Sequence, residues 1–416
     1  MDQPAPDVAI VGAGIIGVAT AYKLRQAGRS VVLIDRKGIA EETSRGNAGA
    51  FAFSDVLPMS GSGVLKKLPR WLSDPLGPLT IPPAYLPAIA PWLIRYWRAG
   101  WADKVAAGIK AQSALMRLAA SEMQMLVADA GLAGMVRSDG VLELYESEAE
   151  LAASEPGWHA RKAEGIGFEH VRGADVAALQ PGLAPRFVAG TFIPQWQTVS
   201  DPYDFTVAIA NAVQQRGVEF IKAEVTGLAP SSNGVTLSLA NSQTLNARQV
   251  VVAGGAWSKA LTAPLGDSIP LETERGYNTT LPPGSFDLKR QLTFGGHGFV
   301  ISPLTSGIRV GGAVELGGLN LPPNFARADA MLTKAKAFLP DLQTTGGKRW
   351  MGFRPSLPDS LPVIGFSRGS RNIVYAFGHG HLGLTQSAAT GRLVADLLAG
   401  TPPSIDLSPF SPQRFM

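Results

Sequence analysis

The 416-residue sequence contains no cysteine and only five histidines. The absence of cysteine excludes disulfides, thiolate nucleophiles, iron–sulfur clusters, cysteine-based zinc sites and a flavin tethered through sulfur. The charges are also nearly balanced, because the sequence has 37 Lys and Arg residues and 33 Asp and Glu residues. This composition gives no reason to expect a nucleic-acid partner. No run of about 18 uncharged apolar residues is present, so no membrane-spanning helix is expected. The N-terminus lacks the features of a signal peptide, which favours a cytoplasmic location.

The N-terminal residues predict a βαβ unit that binds a dinucleotide. A short apolar run is followed by GAGIIG at 12–17, a helical pattern and a second apolar run that ends at Asp35. In this motif Gly12 allows the tight turn, Gly14 lets backbone approach a pyrophosphate at the helix start, and Gly17 permits close packing of helix on strand. Asp35 is predicted to accept hydrogen bonds from an adenosine ribose. NAD and FAD proteins share this fingerprint, so the cofactor stays open at this point.

Two other polar segments favour a flavin over NAD. A second glycine-rich loop at 378–383 leads into a C-terminal helix, and a second helix start suits a long ligand whose pyrophosphate lies on the first helix. The small polar residues at 43–50 follow the second strand, at the sheet edge where ligands bind. An ordinary turn and a solvated loop are the alternatives. His379 and His381 lack a third ligand at metal-binding spacing, so no metal is expected.

Two further features concern the substrate. Arg354 stands between an apolar strand end and a proline, which restricts its rotamers as a carboxylate clamp requires; a surface arginine is the alternative. Residues 56–101 are rich in proline, tryptophan and basic residues, and we interpret them as an insertion that caps the active site. Trp97 and Trp101 are spaced to cover apolar surface there. The alternative is peripheral contact of 56–101 with the inner face of a membrane.

Taken together, these motifs resemble the D-amino-acid oxidase superfamily of FAD enzymes, and within it the D-amino-acid dehydrogenase small subunits. The similarity covers the whole chain through the order of four segments: VGAGIIG at 11–17, ETSRGNAG at 42–49, GFRP at 352–355 and GHGHLG at 378–383. It implies an α/β fold, with a Rossmann-like FAD-binding domain interleaved with an α+β substrate domain whose sheet is mainly antiparallel. The expected boundaries are 1–55, 198–264 and 346–416 for the FAD-binding domain, and 56–197 and 265–345 for the substrate or cap domain.

The resemblance also implies a reaction. A non-covalently bound FAD takes a hydride from a carbon that carries an amine and a carboxylate, and the resulting imine is hydrolysed to a keto or oxo acid. The implied substrate is a D-amino acid or a related imino or secondary amino acid. The alternatives are a secondary-amine oxidase for sarcosine- or iminodiacetate-like N-substituted glycines, and a non-catalytic FAD-binding subunit. Oxygen and a quinone are both open as electron acceptors.

Catalytic roles follow from the family pattern. Arg354 is expected to bind the substrate carboxylate, and Tyr277 matches the region where relatives place an aromatic lid. His379 is a third candidate catalytic residue. His297 has no role that the resemblance assigns.

FAD contacts are likewise implied by the family pattern. Val225 is expected at the adenine, Ala253 and Gly254 at the pyrophosphate, and residues 47–49 and 380–384 at the isoalloxazine. The full set of candidate FAD-binding residues is Gly12, Gly14, Ile15, Gly17, Asp35, Arg36, Thr43, Ser44, Asn47, Ala48, Gly49, Val225, Ala253, Gly254, Gly380, His381, Leu382, Gly383 and Leu384.

Overall fold

The architecture is that of a computed structural model, which describes residues 5–60, 77 and 79–415. Part of the basic and aromatic content predicted for the insertion lies outside the described residues, namely Lys66, Lys67, Arg70 and Trp71. The remaining chain forms two large sheets, two small three-stranded sheets and the helices that cover them.

The elements are numbered in chain order. The helices are α1 (Ile15–Gln26), α2 (Leu86–Ala99), α3 (Ala102–Asp129), α4 (Glu148–Ala163), α5 (Ala174–Leu179), α6 (Pro202–Gln215), α7 (Lys259–Thr262), α8 (Ala326–Phe338) and α9 (Gly383–Ala399). The strands are β1 (Val8–Val11), β2 (Val31–Asp35), β3 (Ala50–Phe51), β4 (Leu79–Thr80), β5 (Val136–Arg137), β6 (Val141–Tyr145), β7 (Glu169–Arg172), β8 (Ala189–Ile193), β9 (Gln197–Val199), β10 (Glu219–Lys222), β11 (Val225–Ser231), β12 (Gly234–Leu239), β13 (Thr244–Ala247), β14 (Gln249–Val252), β15 (Glu272–Leu281), β16 (Gln291–Phe294), β17 (Phe299–Leu304), β18 (Gly307–Glu315), β19 (Lys348–Ser356), β20 (Val363–Ser367) and β21 (Ser370–Phe377).

The first large sheet has the order β10-β2-β1-β14-β21-β20. Its first five strands are parallel and β20 is an antiparallel edge. The central strands are apolar and buried apart from Gln249 at the start of β14, as is typical of a parallel sheet that is covered on both faces. Helices α1, α6 and α9 pack on one face, and the meander β11-β12-β13 packs on the other. This confirms the predicted βαβ unit and the predicted α/β fold class.

The second large sheet has the order β19-β15-β18-β17-β16-β6-β8-β7, with β4 beside β18. Most of its neighbouring strands are antiparallel. Helix α8 covers one face through a shared apolar core, and the opposite face of β15 and β19 borders a cavity. Strand β19 belongs to this sheet, although it falls within the 346–416 segment expected in the FAD-binding domain. The division into domains otherwise stays a prediction.

The tryptophans of the predicted insertion differ in their environments. Trp92, on α2, is buried, but Trp97 and Trp101 are 51% and 48% exposed and their rings pack edge to face against each other. The prediction that Trp97 and Trp101 cover apolar surface over the active site is therefore wrong.

Candidate active site

A cleft runs along the carboxyl ends of the parallel strands β1, β2 and β14, the edge where such sheets bind ligands. Gly12 has a φ of +111°, and a Cβ at this position would collide with the carbonyl oxygen of Ala253. A Cβ at Gly17 would collide with the carbonyl oxygen of Gly12. These two glycines therefore let the β1–α1 turn pack against its own helix and against the turn that follows β14.

Two helix N-termini point at this cleft. Helix α1 begins after Gly14 and α9 begins at Gly383, and neither has an acidic residue in its first turn or a side-chain hydrogen bond from its own N-cap. The Ser44 hydroxyl accepts a hydrogen bond from the Ile15 N–H at 2.9 Å. Because helix N-termini carry partial positive charge, both ends suit an anionic or electron-rich part of a ligand.

Asp35 lies on the wall of the cleft at the end of β2. Its carboxylate accepts three backbone hydrogen bonds, from Ala13 at 2.9 Å, Lys37 at 2.8 Å and Gly38 at 3.1 Å. These bonds hold the carboxylate at the mouth of the α1 turn, where the sequence predicted a partner for a ribose.

Arg36 closes one end of the cleft. Its guanidinium lies 4.1 Å from the ring centroid of Trp257 and donates a hydrogen bond to Glu42 at 3.0 Å. Sequence reasoning missed Trp257, although its position three residues after Gly254 was a usable signal. The stacked pair gives this end a flat, cationic wall.

The loop at 43–49 separates the cleft from a second cavity. The Thr43 hydroxyl donates to the Phe353 carbonyl at 2.6 Å, and the Asn47 side chain accepts from the Gly49 N–H at 2.8 Å. Buried Arg309 donates to the Asn47 carbonyl at 2.5 Å. Sequence reasoning missed Arg309 because nothing near it in the chain marks a loop more than 250 residues away.

The predicted FAD-binding residues divide into three groups by position. Those that line the cleft are Gly12, Gly14, Ile15, Asp35, Arg36, Thr43, Ser44, Asn47, Val225, Ala253, Gly254, Gly380, Gly383 and Leu384. Those that line only the second cavity are Ala48, His381 and Leu382. Gly17 and Gly49 line neither, and both make close packing contacts instead.

The second cavity has a volume of about 430 Å³ and shares Thr43, Asn47 and Gly380 with the cleft. Its sheet wall is one face of the antiparallel pair β15–β19. Because side chains alternate along a strand, this face carries every second residue of each strand. They are Glu274, Gly276 and Asn278 from β15, and Trp350, Gly352 and Arg354 from β19.

Arg354 is partly buried in this wall. A Cβ on Gly276 would lie 2.5 Å from its Nη2 atom, so the guanidinium occupies the space that glycine leaves. Its Nη1 donates to the carbonyl of Ala313 at 3.2 Å. Ala313 lies in the bulged part of β18 and has a φ of +50°, a conformation rare for a residue with a side chain. Burial lowers the pKa of Arg354, against the opposing charge of Glu274, but guanidinium remains charged in proteins.

Tyr277 does not form a lid. It borders the cavity, but its position in β15 has the opposite parity to Glu274 and Gly276, so its side chain points to the other face of the sheet. There its hydroxyl donates to Glu315 at 2.5 Å and accepts from the Asn324 N–H at 3.0 Å. The predicted aromatic lid at Tyr277 is therefore wrong, and the residue belongs to the core under α8.

His379 is also misassigned as a catalytic residue. Its ring is 4% exposed and its Nε2 lies 2.9 Å from the Thr390 hydroxyl on α9. Burial lowers the pKa of His379 to about 3, so the imidazole is neutral at physiological pH. A group held uncharged against a helix cannot exchange protons with a substrate near neutrality.

His381 and Asp55 form an ion pair in the wall of the second cavity, with Nε2 and Oδ2 3.0 Å apart. Burial lowers the pKa of His381, but the hydrogen bond and charge of Asp55, with Glu274, outweigh it and the net pKa is raised. For Asp55, burial raises the pKa, and His381 and Arg161 outweigh it, so the net pKa is lowered. Each group of the pair therefore favours the charged form of the other.

His297 lies outside both cavities. Its Nε2 is 2.9 Å from Glu146, and its ring packs against Phe338. Within the described ranges, no three His, Asp or Glu side chains are grouped as a metal site requires.

The cleft fits FAD by its glycine turn, its two helix starts and its position beside a cavity with a buried guanidinium. The family model described as FAD dependent oxidoreductase, DAO, matches residues 7–397. The chain belongs to this family. It is an FAD-dependent enzyme that oxidises amino acids, which confirms the predicted family, fold class, cofactor and enzyme class.

Curated relatives match along nearly the full chain. The chain is 38% identical over 416 residues to a D-amino-acid oxidase of Bradyrhizobium diazoefficiens, covering 98% of this chain and 99% of that protein. It is 32% identical over 420 residues to a D-amino acid dehydrogenase of the same organism, covering 98% of each.

Solved structures share the fold. Glycine oxidase from Geobacillus kaustophilus has a TM-score of 0.80 at 22% identity and covers 100% of both chains. Iminodiacetate oxidase from a Chelativorans species has a TM-score of 0.74 at 19% identity, covering 97% of this chain and 98% of that one. At these identities the similarity concerns the fold alone.

Proposed function

We propose that this enzyme oxidises the Cα–N bond of a D-amino acid, giving an imine that water hydrolyses to a keto acid. The observation that carries the proposal is Arg354, a guanidinium set into the wall of a cavity that opens onto the dinucleotide cleft. The names of the two curated relatives support D-amino acids as the substrate class.

Arg354 binds the substrate carboxylate in this proposal. Its Nη1 is anchored by the Ala313 carbonyl, and Gly276 leaves room for the planar group, so its orientation is set before substrate arrives. A guanidinium fixed in this way offers paired N–H donors to a carboxylate and decides which face of Cα is presented to the flavin. Bound FAD supplies the hydride acceptor for the Cα–H.

The residues that line the cleft would hold FAD along its length. Asp35 would bind the adenosine ribose, Val225 would border the adenine, and the start of α1 and the turn after β14 would hold the pyrophosphate. The 43–49 loop and residues 380–384 would hold the isoalloxazine, where the cleft meets the cavity.

Anaerobic bleaching of the flavin tests the proposed function. The purified holoenzyme is mixed without oxygen with a panel of D-amino acids, their L-enantiomers, sarcosine and iminodiacetate, and the flavin absorbance is followed. We expect loss of colour with D-amino acids and none with the L-enantiomers. Bleaching by sarcosine or iminodiacetate alone would overturn the substrate class in favour of N-substituted glycines.

The electron acceptor in this proposal is a quinone reached through peripheral membrane contact. Helix α2 and the residue that caps α3 present a face of exposed apolar and basic side chains: Leu86, Ile94, Arg95, Trp97, Arg98 and Trp101. Apolar rings interleaved with cations suit the headgroup region of an anionic bilayer. No helix in the described part of the chain has the length and apolar character needed to cross a bilayer.

Flotation with anionic lipid vesicles tests this contact. The wild type should float, and the double variant Ile94→Ser, Trp97→Ser should stay in the lipid-free fraction. Met125→Ser, which alters another exposed apolar residue on α3, serves as the control. A wild type that stays with the lipid-free protein and consumes oxygen during turnover would overturn the proposal in favour of oxygen.

A further inference from the structure

Glu274 is a buried carboxylate without a partner. It lies in β15, is 6% exposed and lines the second cavity. Within the described part of the chain, its carboxylate makes no hydrogen bond and no ion pair, whereas Glu272 on the same face accepts a hydrogen bond from the Tyr85 hydroxyl at 2.9 Å. Because its carboxylate oxygens have no partner among the described residues and border the open cavity, they are free to meet a cationic group of a ligand bound there.

The two cations that feel the charge of Glu274, Arg354 and His381, make their direct hydrogen bonds to other groups. Arg354 stands directly opposite Glu274 in the β15–β19 register, but its guanidinium extends over Gly276 and donates to Ala313. His381 is paired with Asp55. Each cation near Glu274 therefore has another partner.

Glu274 and Arg354 lie side by side in the cavity wall. They are directly opposite each other in the antiparallel pair, where Cβ atoms are about 4.5–5.5 Å apart, and both side chains face the cavity. An α-amino acid carries its carboxylate and ammonium on one carbon. A substrate whose carboxylate binds Arg354 would therefore present its ammonium beside the strand that carries Glu274.

We propose that Glu274 accepts the ammonium group of the substrate and so selects zwitterionic amino acids over ligands that carry a second carboxylate. The inference rests on the proposed function and refines its substrate class. Iminodiacetate and acidic amino acids would place a second negative charge near Glu274, which like-charge repulsion disfavours. A substrate with a neutral or cationic side chain meets no such penalty.

Three unreactive ligands test the proposal on the holoenzyme. α-Aminoisobutyrate, pivalate and 2,2-dimethylmalonate share a carboxylate and a quaternary carbon without hydrogen, and differ by an ammonium, a methyl or a second carboxylate at one position. Their dissociation constants are measured by calorimetry, so turnover is not needed. We expect the wild type to bind α-aminoisobutyrate at least about tenfold more tightly than pivalate, and dimethylmalonate most weakly, as hydrogen bonds to charged groups predict.

In Glu274→Gln the preference for α-aminoisobutyrate should fall to within about threefold, and dimethylmalonate should bind more tightly than in the wild type. Glu272→Gln, which removes a satisfied carboxylate two residues away, should keep the wild-type order. If Glu274→Gln does not fold, Glu274→Met removes the charge at similar volume and carries the same expectation. An unchanged preference in the folded variant would overturn the proposal.

Equal weakening of α-aminoisobutyrate and pivalate in Glu274→Gln would also overturn it, because that pattern means that Glu274 only positions Arg354. The proposed function fails separately, if no D-amino acid bleaches the flavin while the wild type still prefers α-aminoisobutyrate. The two failures are therefore distinguishable.

Discussion

The dinucleotide cleft and the substrate cavity meet at Thr43, Asn47 and Gly380, yet they are built by different means. The cleft is formed mainly by backbone, from glycine turns and helix starts that each occupy a few consecutive residues. The cavity wall is formed by side chains from β15 and β19, which are more than 60 residues apart in the chain. The cleft should therefore tolerate substitutions of its side chains but not of its glycines. The cavity should depend on the register of the strands that carry its side chains.

A single added methyl group should be enough to abolish FAD binding in the cleft. Gly12→Ala places a Cβ on the Ala253 carbonyl at a φ of +111°, so the two turns must separate and FAD should be lost on purification. The measurement is flavin absorbance per protein. Gly28→Ala is the control, because its φ is +78° but nothing lies within 4 Å of the added Cβ. It should keep FAD and lose only about 1–2 kcal/mol of stability; equal loss of FAD in both variants would contradict the packing argument.

Substrate binding in the cavity should be lost without loss of FAD from the cleft. Arg354→Met removes the proposed carboxylate clamp, and kcat/KM for a D-amino acid should fall by on the order of a hundred- to a thousandfold while FAD stays bound. Steady-state kinetics and flavin absorbance measure the two effects. Arg349→Met, which alters an exposed arginine of β19 paired with Asp329, should behave as the wild type. An unchanged KM in Arg354→Met would remove the clamp from the mechanism.

The cavity also requires a glycine, at position 276, because the Arg354 guanidinium occupies the space of a side chain there. Gly276→Ala would put a methyl group 2.5 Å from the Arg354 Nη2 atom, so the guanidinium must shift by about 1 Å, and kcat/KM should fall roughly ten- to a hundredfold. Gly134→Ala adds a methyl group where nothing lies within 4 Å and should have no effect. In an Arg354→Met background, Gly276→Ala should cost much less, because the two residues act through one contact. Full additivity would show that Gly276 acts elsewhere.

The smallest effect on activity is expected from substitution of His379. An unchanged activity would place this residue outside the catalytic site. His379→Gln should leave kcat/KM and its pH profile unchanged. Stability should respond instead, because the lowered pKa keeps the folded imidazole neutral while the unfolded one gains a proton below about pH 6.5. Wild-type stability attributable to His379 is therefore lost as pH falls from about 6.5 towards 3, by roughly 3 kcal/mol between pH 6.5 and 4. Denaturation at both pH values should show a smaller acid loss in the variant; an altered pH–rate profile would restore a catalytic role.

Some of this could be predicted from the sequence because the signals are local. The GAGIIG motif, the apolar runs of β1 and β2, and the C-terminal helix that follows the glycine-rich loop at 378–383 occupy the positions expected from hydrophobic periodicity and glycine placement. Arg354 could be predicted as a substrate-binding residue because the motif that marks it, GFRP at 352–355, is a short local segment. Its anchors at Gly276 and Ala313 were not, since both come from other strands.

The predictions for Tyr277 and His379 were wrong for the same physical reason. Tyr277 lies in the expected strand, but a single step along a strand reverses the face on which a side chain lies. His379 lies in the expected loop, but its ring turns towards α9 instead of the cavity. In both cases the position along the chain was right and the direction of the side chain depended on neighbouring strands or helices.

The sequence by itself determined the family, the cofactor and the parallel sheet that binds it, because glycine turns and buried apolar strands act over a few consecutive residues. Only the tertiary structure decided which side chains face the substrate cavity. That choice depends on the register of β15 against β19, which brings Arg354 and Glu274 to one face of the sheet, and on the bulge in β18, where the Ala313 carbonyl accepts a hydrogen bond from Arg354. Long-range pairing sets both, and no short stretch of the chain encodes it.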